Sequence, residues 1–176
     1  MRSVAFLTIC ITTIFLLAPL KPVSSAREMH QPAPEVSGKH WLNSEATTLS
    51  AQCGKVVLLE FWTYGCYNCR NVEPYIKKWY AKYHKKGLQI FAVHSPEFKH
   101  EFKIENVRQY IKNNDIHYPV VTDNDFSIWK SFRNHYWPSI YLIDKQGVIR
   151  YHHIGEGAYQ VTEAKIAELL AEPATE

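Results

Sequence analysis

Two cysteines separated by two residues, Cys66 and Cys69, carry the clearest chemical signal in this sequence. A continuous apolar run over residues 56–62 precedes them, and apolar residues at helical spacing follow. A sulfur at the start of a helix faces unpaired N–H groups and a positive partial charge, so it loses its proton more readily. Because the thiolate is the nucleophile in disulfide exchange, the pattern predicts that Cys66 attacks a disulfide and that Cys69 resolves the mixed disulfide.

Other interpretations of the pair stay open at this point, among them a permanent structural disulfide and half of a zinc site. A tetrahedral zinc site needs two further ligands, but the sequence has no second Cys-x-x-Cys and its nine histidines are scattered. A copper- or haem-binding chaperone would use Cys66, Cys69 and a histidine such as His94 or His135, because thiolates and imidazole suit copper. The favoured interpretation, a redox pair, requires no metal and no cofactor.

Residues 1–26 have the pattern of a secretory signal peptide. Arg2 precedes an apolar stretch over residues 4–18, and Ser24, Ser25 and Ala26 supply the small residues of a cleavage site. The stretch of about 15 residues is shorter than the roughly 20 that span a bilayer, and the alternative is an uncleaved membrane tether through residues 4–18. In both cases we expect the protein body to be periplasmic or otherwise exported.

Cleavage after residue 26 would remove Arg2 and Lys21, leaving 18 basic and 17 acidic side chains and a net charge of +1. So small a charge argues against a nucleic-acid partner, which would require a basic stripe. Cleavage also leaves three cysteines, and an odd number outside the cytoplasm indicates a working pair with one left over. For the third, Cys53, two interpretations are open: a partly buried thiol beside a turn, or a regulatory or intermolecular site.

The rest of the pattern predicts a linker or an extended arm over residues 27–39, followed by one α/β domain over residues 40–176. Strands are predicted over residues 56–62, 88–93, 118–122, 140–143 and 148–154, with shorter ones over 40–43 and 46–50. Helices are predicted after Cys66 and around residues 104–111, 126–132 and 166–170. The strand–helix–strand order around the cysteines favours a parallel pair, and the short turn at 144–147 favours an antiparallel one. Together they predict a mixed sheet flanked by helices on both faces.

Several segments of the sequence resemble known proteins. Residues 61–69, with Pro74 five positions after the second cysteine, resemble the thioredoxin active-site segment, and Trp137-Pro138 before a strand resembles its cis-proline loop. The region 118–132 resembles the helix–strand–helix insertion of TlpA-like proteins. Residues 93–98, 134–138 and 150–157 are similar to the thioredoxin-like domain of DipZ-type proteins. The resemblance implies a thioredoxin-like fold with a TlpA-type insertion.

The resemblance also implies roles for individual residues. Cys66 matches the attacking cysteine, Cys69 the resolving cysteine, and Glu60 the buried acid that handles the proton of the resolving thiol. A carboxyl group within an apolar strand has a raised pKa and can take up a proton near neutral pH. The alternative for Glu60 is a carboxylate in solvent at the edge of a strand.

The predicted substrate-binding residues are Pro138, Trp137, Trp62 and Tyr64. A cis bond before Pro138 would bring the backbone of Trp137 beside the sulfurs, where it could pair with an extended substrate segment; an ordinary trans turn is the alternative. The three aromatic residues are expected to form an apolar platform for partner proteins, with core packing as the alternative.

The resemblance to DipZ-type and TlpA-like proteins implies a reductase that acts on disulfides of periplasmic proteins, including apocytochrome c before haem attachment. It also implies a membrane electron-relay protein as the electron donor, which we expect here to be a separate chain. The spacer Tyr67-Asn68 replaces the Gly-Pro of thioredoxins and leaves the direction of electron flow open. The alternative is therefore a dithiol oxidase or isomerase that installs disulfides in exported proteins.

Overall fold

The computed structural model describes residues 27–173, which form a seven-stranded mixed sheet flanked by helices. The strands are β1 (Arg27–Pro32), β2 (Trp41–Leu42), β3 (Val56–Trp62), β4 (Leu88–His94), β5 (Val120–Thr122), β6 (Ser139–Ile143) and β7 (Val148–Ile154). The helices are α1 (Tyr67–Tyr83), α2 (Ile104–Asn113), α3 (Ser127–Ser131) and α4 (Tyr159–Ala171). The order across the sheet is β1-β7-β6-β3-β4-β5-β2. The α/β fold class predicted from the sequence is confirmed.

The central strand β3 is buried along its whole length. It pairs in parallel with β4 and antiparallel with β6, and helices cover it on both faces. A strand buried on both faces appears in the sequence as a continuous apolar run, which is why its position could be predicted. The parallel β3–α1–β4 unit and the antiparallel β6–β7 pair are also as predicted.

Side chains of β3 alternate between two hydrophobic cores. On one face Leu58 and Trp62 pack with residues of α1, α2 and α4. On the other face Leu59 and Phe61 pack with residues of α3. Glu60 lies two residues from both Leu58 and Trp62, so its carboxyl group is on the same face of the sheet, which α1 covers.

Residues 27–39 are not the linker predicted from the sequence. The first six form β1, which pairs antiparallel with β7, and the Ala33 N–H donates to the Gly147 carbonyl at 2.9 Å. Because β1 lies at the edge of the sheet, it needs no continuous apolar run, and its sequence gives little sign of a strand. The strand predicted over residues 46–50 is also wrong: residues 45–48 have no regular structure, and Ser50 begins a short 3₁₀ turn.

Between β4 and β6 the chain forms α2, β5 and α3, a helix–strand–helix segment. The region 118–132 assigned to this insertion from the sequence holds only β5 and α3, because α2 ends at Asn113. β5 extends the parallel part of the sheet by pairing with β4. The predicted signal peptide, residues 1–26, and the tether within it lie outside the described residues. Between residues 27 and 173, no helix has both the length and the apolar character needed to cross a bilayer.

Three loops meet at one end of the central strands. The carboxyl ends of β3 and β4 lie there together with the amino end of the antiparallel strand β6. Since β4 and β6 flank β3, the loop that carries Cys66 lies between the loop after β4 and the loop that carries Trp137 and Pro138. The Trp137 Nε1–H donates to the Ser95 carbonyl at 3.0 Å and links the two outer loops.

Candidate active site

Cys66 occupies the N-cap position of α1, with an extended backbone conformation (φ −72°, ψ 120°). Its Sγ accepts a hydrogen bond from the backbone N–H of Cys69 at 3.4 Å. The side chain is partly exposed at the end of β3, as predicted from the sequence. The sulfur therefore lies where the unpaired N–H groups and the helix dipole favour a negative charge.

The surroundings lower the pKa of the Cys66 thiol to about 7. The largest cause is a hydrogen bond from the Cys69 thiol, and the backbone N–H groups of Cys69 and Asn68 act in the same direction. Partial burial and the negative charge of Glu97 oppose them. Near neutral pH a large fraction of Cys66 is therefore thiolate, which is the form that attacks a disulfide.

Cys69 lies one turn further along α1 and is buried, with 3% of its surface exposed. Burial, the hydrogen bond to Cys66 and the negative charge of Glu60 all raise the pKa of the Cys69 thiol. Cys69 therefore keeps its proton under conditions in which Cys66 loses it. This asymmetry matches the attacking and resolving roles that the sequence predicts.

Glu60 is buried in the central strand, with 3% of its surface exposed. Its pKa is raised well above the ordinary value, first by burial and then by the negative charges of Glu73 and Cys66. The alternative of a solvated carboxylate at a strand edge is wrong, because β3 has neighbours on both sides. A buried carboxyl group with a raised pKa beside Cys69 can exchange a proton with the resolving thiol.

A second buried carboxyl group, Glu73, lies near Glu60 and was not predicted. It accepts a hydrogen bond from the Tyr110 hydroxyl at 2.9 Å and forms an ion pair with Lys77 at 2.6 Å. Its charge contributes to the raised pKa of Glu60. The signal in the sequence is an acid at the i+4 position from Cys69, on a helix face that otherwise carries Val72, Ile76 and Trp79.

The peptide bond between Trp137 and Pro138 is cis. The Pro138 carbonyl accepts a hydrogen bond from the Gly155 N–H at 2.8 Å, and the indole ring of Trp137 packs on Trp129 with ring centroids 4.3 Å apart. The indole is thus held on the core side by Trp129 and Ser95, and only part of it is exposed.

The predicted aromatic platform needs a correction. Trp62 is 4% exposed and packs against His94 and Tyr110, so it belongs to the core and cannot contact a partner protein. Tyr64 is partly buried, stacks on His94 and Tyr110, and donates its hydroxyl to the His100 carbonyl at 3.0 Å.

Three other aromatic side chains around Cys66 and Trp137 are exposed and were missed from the sequence. Tyr67 follows Cys66 directly and is 69% exposed, Tyr136 precedes Trp137 and is 59% exposed, and Phe98 lies beside Gly65 and is 48% exposed. Tyr67 and Tyr136 could have been found from the sequence, because they lie within or next to the Cys-x-x-Cys and Trp-Pro motifs.

The buried carboxylate of Glu101 joins the loop after β4 to the loop before Cys66, and it too was missed. Its oxygens accept the N–H groups of Gly65 at 2.8 Å, Glu97 at 2.6 Å and Phe98 at 2.8 Å, and the Thr63 hydroxyl donates to it as well. Burial alone would raise the pKa of Glu101, but these hydrogen bonds outweigh it and lower the pKa. The group is therefore ionised at neutral pH.

His94 is fully buried beneath the same loop, and its Nε2 lies 3.2 Å from the Thr63 hydroxyl. Burial lowers the pKa of His94 to about 4, so the ring is neutral at physiological pH. Among residues 27–173 no three His, Cys, Asp or Glu side chains form a group that could hold a metal ion. The two thiols and the histidines of the copper-chaperone hypothesis are not brought together as ligands.

Cys53 is exposed, which differs from the partly buried thiol considered from the sequence. Its Sγ donates to the Lys145 carbonyl at 3.8 Å. It precedes β3 whereas Cys66 follows it, and a seven-residue strand separates such positions by about 20 Å. Cys53 therefore cannot form a disulfide with Cys66 or Cys69 within one chain.

Comparison with known proteins gives consistent results. Residues 29–152 match the model of the AhpC/TSA family. The chain is 41% identical over 142 residues to the protein DipZ of Mycobacterium tuberculosis, covering 78% of this chain and 20% of DipZ. It is 30% identical over 146 residues to the thiol-disulfide oxidoreductase YkuV of Bacillus subtilis, covering 82% of this chain and 98% of YkuV.

The crystal structure of the thioredoxin-like superfamily protein SPOA0173 superposes with a TM-score of 0.77 at 26% identity, covering 82% of this chain and 99% of that one. The chain thus spans about one fifth of the length of DipZ but nearly all of YkuV. The similarity to DipZ is confined to one part of that protein, whereas YkuV and SPOA0173 match as whole chains.

Proposed function

Since the chain belongs to the AhpC/TSA family and is a thioredoxin-like thiol–disulfide oxidoreductase, we propose that it reduces disulfide bonds in proteins outside the cytoplasm. The observation that carries this proposal is the pair of unequal thiols at the start of α1. Cys66 is ionised near neutral pH, whereas Cys69 is buried and protonated beside Glu60. Such a pair can attack a disulfide with one sulfur and complete the exchange with the other.

The reaction follows from the positions of the three groups. The Cys66 thiolate attacks one sulfur of the substrate disulfide, a mixed disulfide forms, and the second substrate sulfur leaves as a thiolate. Glu60 then takes the proton of Cys69, and the Cys69 thiolate attacks the Cys66 sulfur. This attack breaks the mixed disulfide, and the two substrate sulfurs leave as thiolates that take up protons from solvent, to which Glu60 returns its own proton. The enzyme keeps the new Cys66–Cys69 disulfide, having given up two electrons.

We assign Trp137 and Pro138 to the substrate side of this reaction. Their loop flanks the Cys66 loop at the β6 side, and its Pro138 carbonyl is already used by Gly155. An extended substrate segment would therefore pair with the backbone of Trp137, in the manner of an added strand. Tyr64 is assigned to the substrate side as well, and it stacks on His94 at the other side of the Cys66 loop.

The pKa of the attacking thiol bears on the direction of electron flow. A strongly stabilised thiolate stabilises the reduced form and makes the couple oxidising: thioredoxin, with an attacking-cysteine pKa of about 7, is reducing, whereas DsbA, at about 3.5, is a strong oxidant. The pKa of Cys66, about 7, is close to the thioredoxin value. This favours a reductase over the dithiol oxidase or isomerase.

The setting of the reaction is part of the same proposal. Residues 1–26 would direct the chain to the periplasm, either as a cleaved signal peptide or as a tether through residues 4–18. A membrane electron-relay protein would regenerate the Cys66–Cys69 dithiol, and the targets would be oxidised periplasmic proteins such as apocytochrome c. The 41% identity to DipZ over 142 residues agrees with the resemblance from which this setting is inferred.

The reduction potential of the Cys66–Cys69 couple tests the direction. A value near the −270 mV of thioredoxin is expected, and one near the −120 mV of DsbA would overturn the proposal. The potential is measured by equilibration with glutathione buffers, with C53S as a matched control that should leave it unchanged.

Trapping identifies the substrates. C69S retains the attacking thiol but cannot resolve the mixed disulfide, so substrate proteins should accumulate on Cys66 in cells. C66S is the matched control and should trap none. Failure of C69S to trap any protein would count against disulfide exchange as the function.

A further inference from the structure

The four residues from Thr63 to Cys66 form a turn that connects β3 to α1. The Cys66 N–H closes this turn on the Thr63 carbonyl at 3.2 Å. One carboxylate holds the turn at two points, because Glu101 accepts both the Gly65 N–H and the Thr63 hydroxyl. The residue directly before the nucleophile is therefore fixed to a carboxylate that is 36 positions away in the chain and lies on a different loop.

The same carboxylate is anchored on its own side. Its second oxygen accepts the N–H groups of Glu97 and Phe98, and the side chain is fully buried. An ionised, desolvated carboxylate requires such donors, and once they are in place it is a rigid link between the elements that supply them. Glu101 thus fastens the Cys66 turn to the loop that follows β4.

Gly65 shows how closely the carboxylate approaches the turn. A Cβ atom at this position would overlap Glu101 Oε1 and would also meet the ring of Phe98 at 3.4 Å. The absence of a side chain is what allows the N–H of Gly65 to reach the carboxylate. The space beside Gly65 is therefore filled from the neighbouring loop.

We propose that Glu101 is a positioning residue for disulfide exchange: it holds the turn from Thr63 to Cys66 so that the Cys66 sulfur stays at the N-terminus of α1. It touches neither substrate nor sulfur, and acts through the backbone of Gly65. The proposal rests on the proposed function, because the sulfur it positions is the nucleophile of that reaction. If the link is lost, the sulfur samples positions in which it accepts fewer N–H groups, and its reactivity as a thiolate declines.

The test compares two acidic residues near Cys66: the carboxylate of Glu101 binds the turn, whereas that of Glu97 acts on Cys66 through its charge. E101Q replaces one oxygen by an NH₂ group that faces N–H donors, so part of the link is lost. E97Q removes an exposed charge that opposes the Cys66 thiolate, but it keeps the Glu97 N–H that binds Glu101. Alkylation of Cys66 by iodoacetamide is followed against pH in the reduced full chain and is quantified on the Cys66 peptide by mass spectrometry.

Each variant removes one negative charge, but the alkylation midpoint of Cys66 should move in opposite directions. E97Q should move the alkylation midpoint down by a few tenths of a pH unit, and E101Q should move it up by about one, which is about a tenfold loss of thiolate below the midpoint. A downward movement in E101Q would mean that Glu101 acts only as a charge, and no movement would mean that it only stabilises the fold. Either result overturns the proposal.

If E101Q does not fold, G65A tests the same contact between Gly65 and Glu101. Its methyl group displaces the carboxylate, so an upward movement of the midpoint is again expected, and an unchanged midpoint would contradict the proposal. In the double variant the two effects should not add, because they break one contact. The wild-type chain distinguishes this proposal from the proposed function. If Cys66 is inert in wild type, the proposed function is wrong. If Cys66 is reactive and neither E101Q nor G65A changes its reactivity, only the positioning role is wrong.

Discussion

The two sulfurs of the active site have opposite acidities although they are one helical turn apart. Cys66 meets N–H and S–H donors at the end of α1, whereas Cys69 is buried beside a carboxyl group. The position along the helix, and not the residue type, assigns the attacking and the resolving role.

The thiol of Cys69 is the largest cause of the low pKa of Cys66. C69A removes this donor and should raise the alkylation midpoint of Cys66 from about 7 toward the ordinary cysteine value of about 8.5. C69S keeps a hydroxyl donor and is the matched control, with a midpoint between those of wild type and C69A. The pH dependence of alkylation measures all three, and equal midpoints in C69A and C69S would show that the hydrogen bond does not stabilise the thiolate.

Glu60 acts after the first exchange step, because it lies close enough to the resolving thiol for its charge to raise the pKa of Cys69. E60Q cannot take the proton of Cys69, so resolution of the mixed disulfide should slow by about 10²-fold at neutral pH, the lower end of general-base effects. Attack by Cys66 should remain within a few-fold of wild type. Stopped-flow measurement with a model disulfide separates the two steps.

E105Q is the control for this comparison, because it removes an exposed acid on α2 and should leave both steps unchanged. Equal slowing of both steps in E60Q would contradict a role confined to the resolving thiol.

At the scale of the elements, α1 joins the active site to the core. Its first turn carries both cysteines, and its buried face carries Ile76, which is 0% exposed in the core beneath α1, α2 and α4. I76A should lower the free energy of unfolding by about 2–5 kcal/mol, the usual cost of truncating a buried aliphatic side chain. Urea denaturation measures it, and K78A on the exposed face is the control, with an expected change of at most about 1 kcal/mol. A small loss in I76A would mean that this helix is loosely packed.

The elements that could be predicted are those whose signal is local in the sequence. β3 appears as an uninterrupted apolar run and α1 as apolar residues at helical spacing, and both were placed correctly. β1 could not be predicted, because it is held in the sheet by pairing with β7, more than a hundred residues away. The burial of Trp62 was also open, since an aromatic residue at the end of a strand can face the core or the solvent.

The site was predicted to the extent that its residues belong to motifs. Cys66, Cys69, Glu60 and the Trp137–Pro138 pair all lie in or beside the segments that resemble thioredoxin. Glu101 lies in the polar stretch Lys99–Phe102, which resembles any exposed loop. Its burial depends on donors from two separate loops, and such a convergence is visible only in three dimensions.

At the scale of the whole molecule, the direction of electron flow is linked to stability. A strong oxidant such as DsbA owes its potential to a stabilised reduced form, so a reductase requires the disulfide form to be the more stable one. In the reduced form of this chain, burial raises the pKa of both Cys69 and Glu60, so neither group stabilises the dithiol state through a favourable charge.

We therefore expect the oxidised protein to unfold at a higher temperature than the reduced protein. A difference of at least about 1 kcal/mol corresponds to about 2–4 °C for a chain of this size. Calorimetry of both forms at pH 7 measures it, and C66S, which cannot form the disulfide, should show the same melting temperature under oxidising and reducing conditions. A reduced form that melts higher would place the couple with the oxidants, because the energy that stabilises the dithiol is the energy that drives disulfide transfer to a substrate.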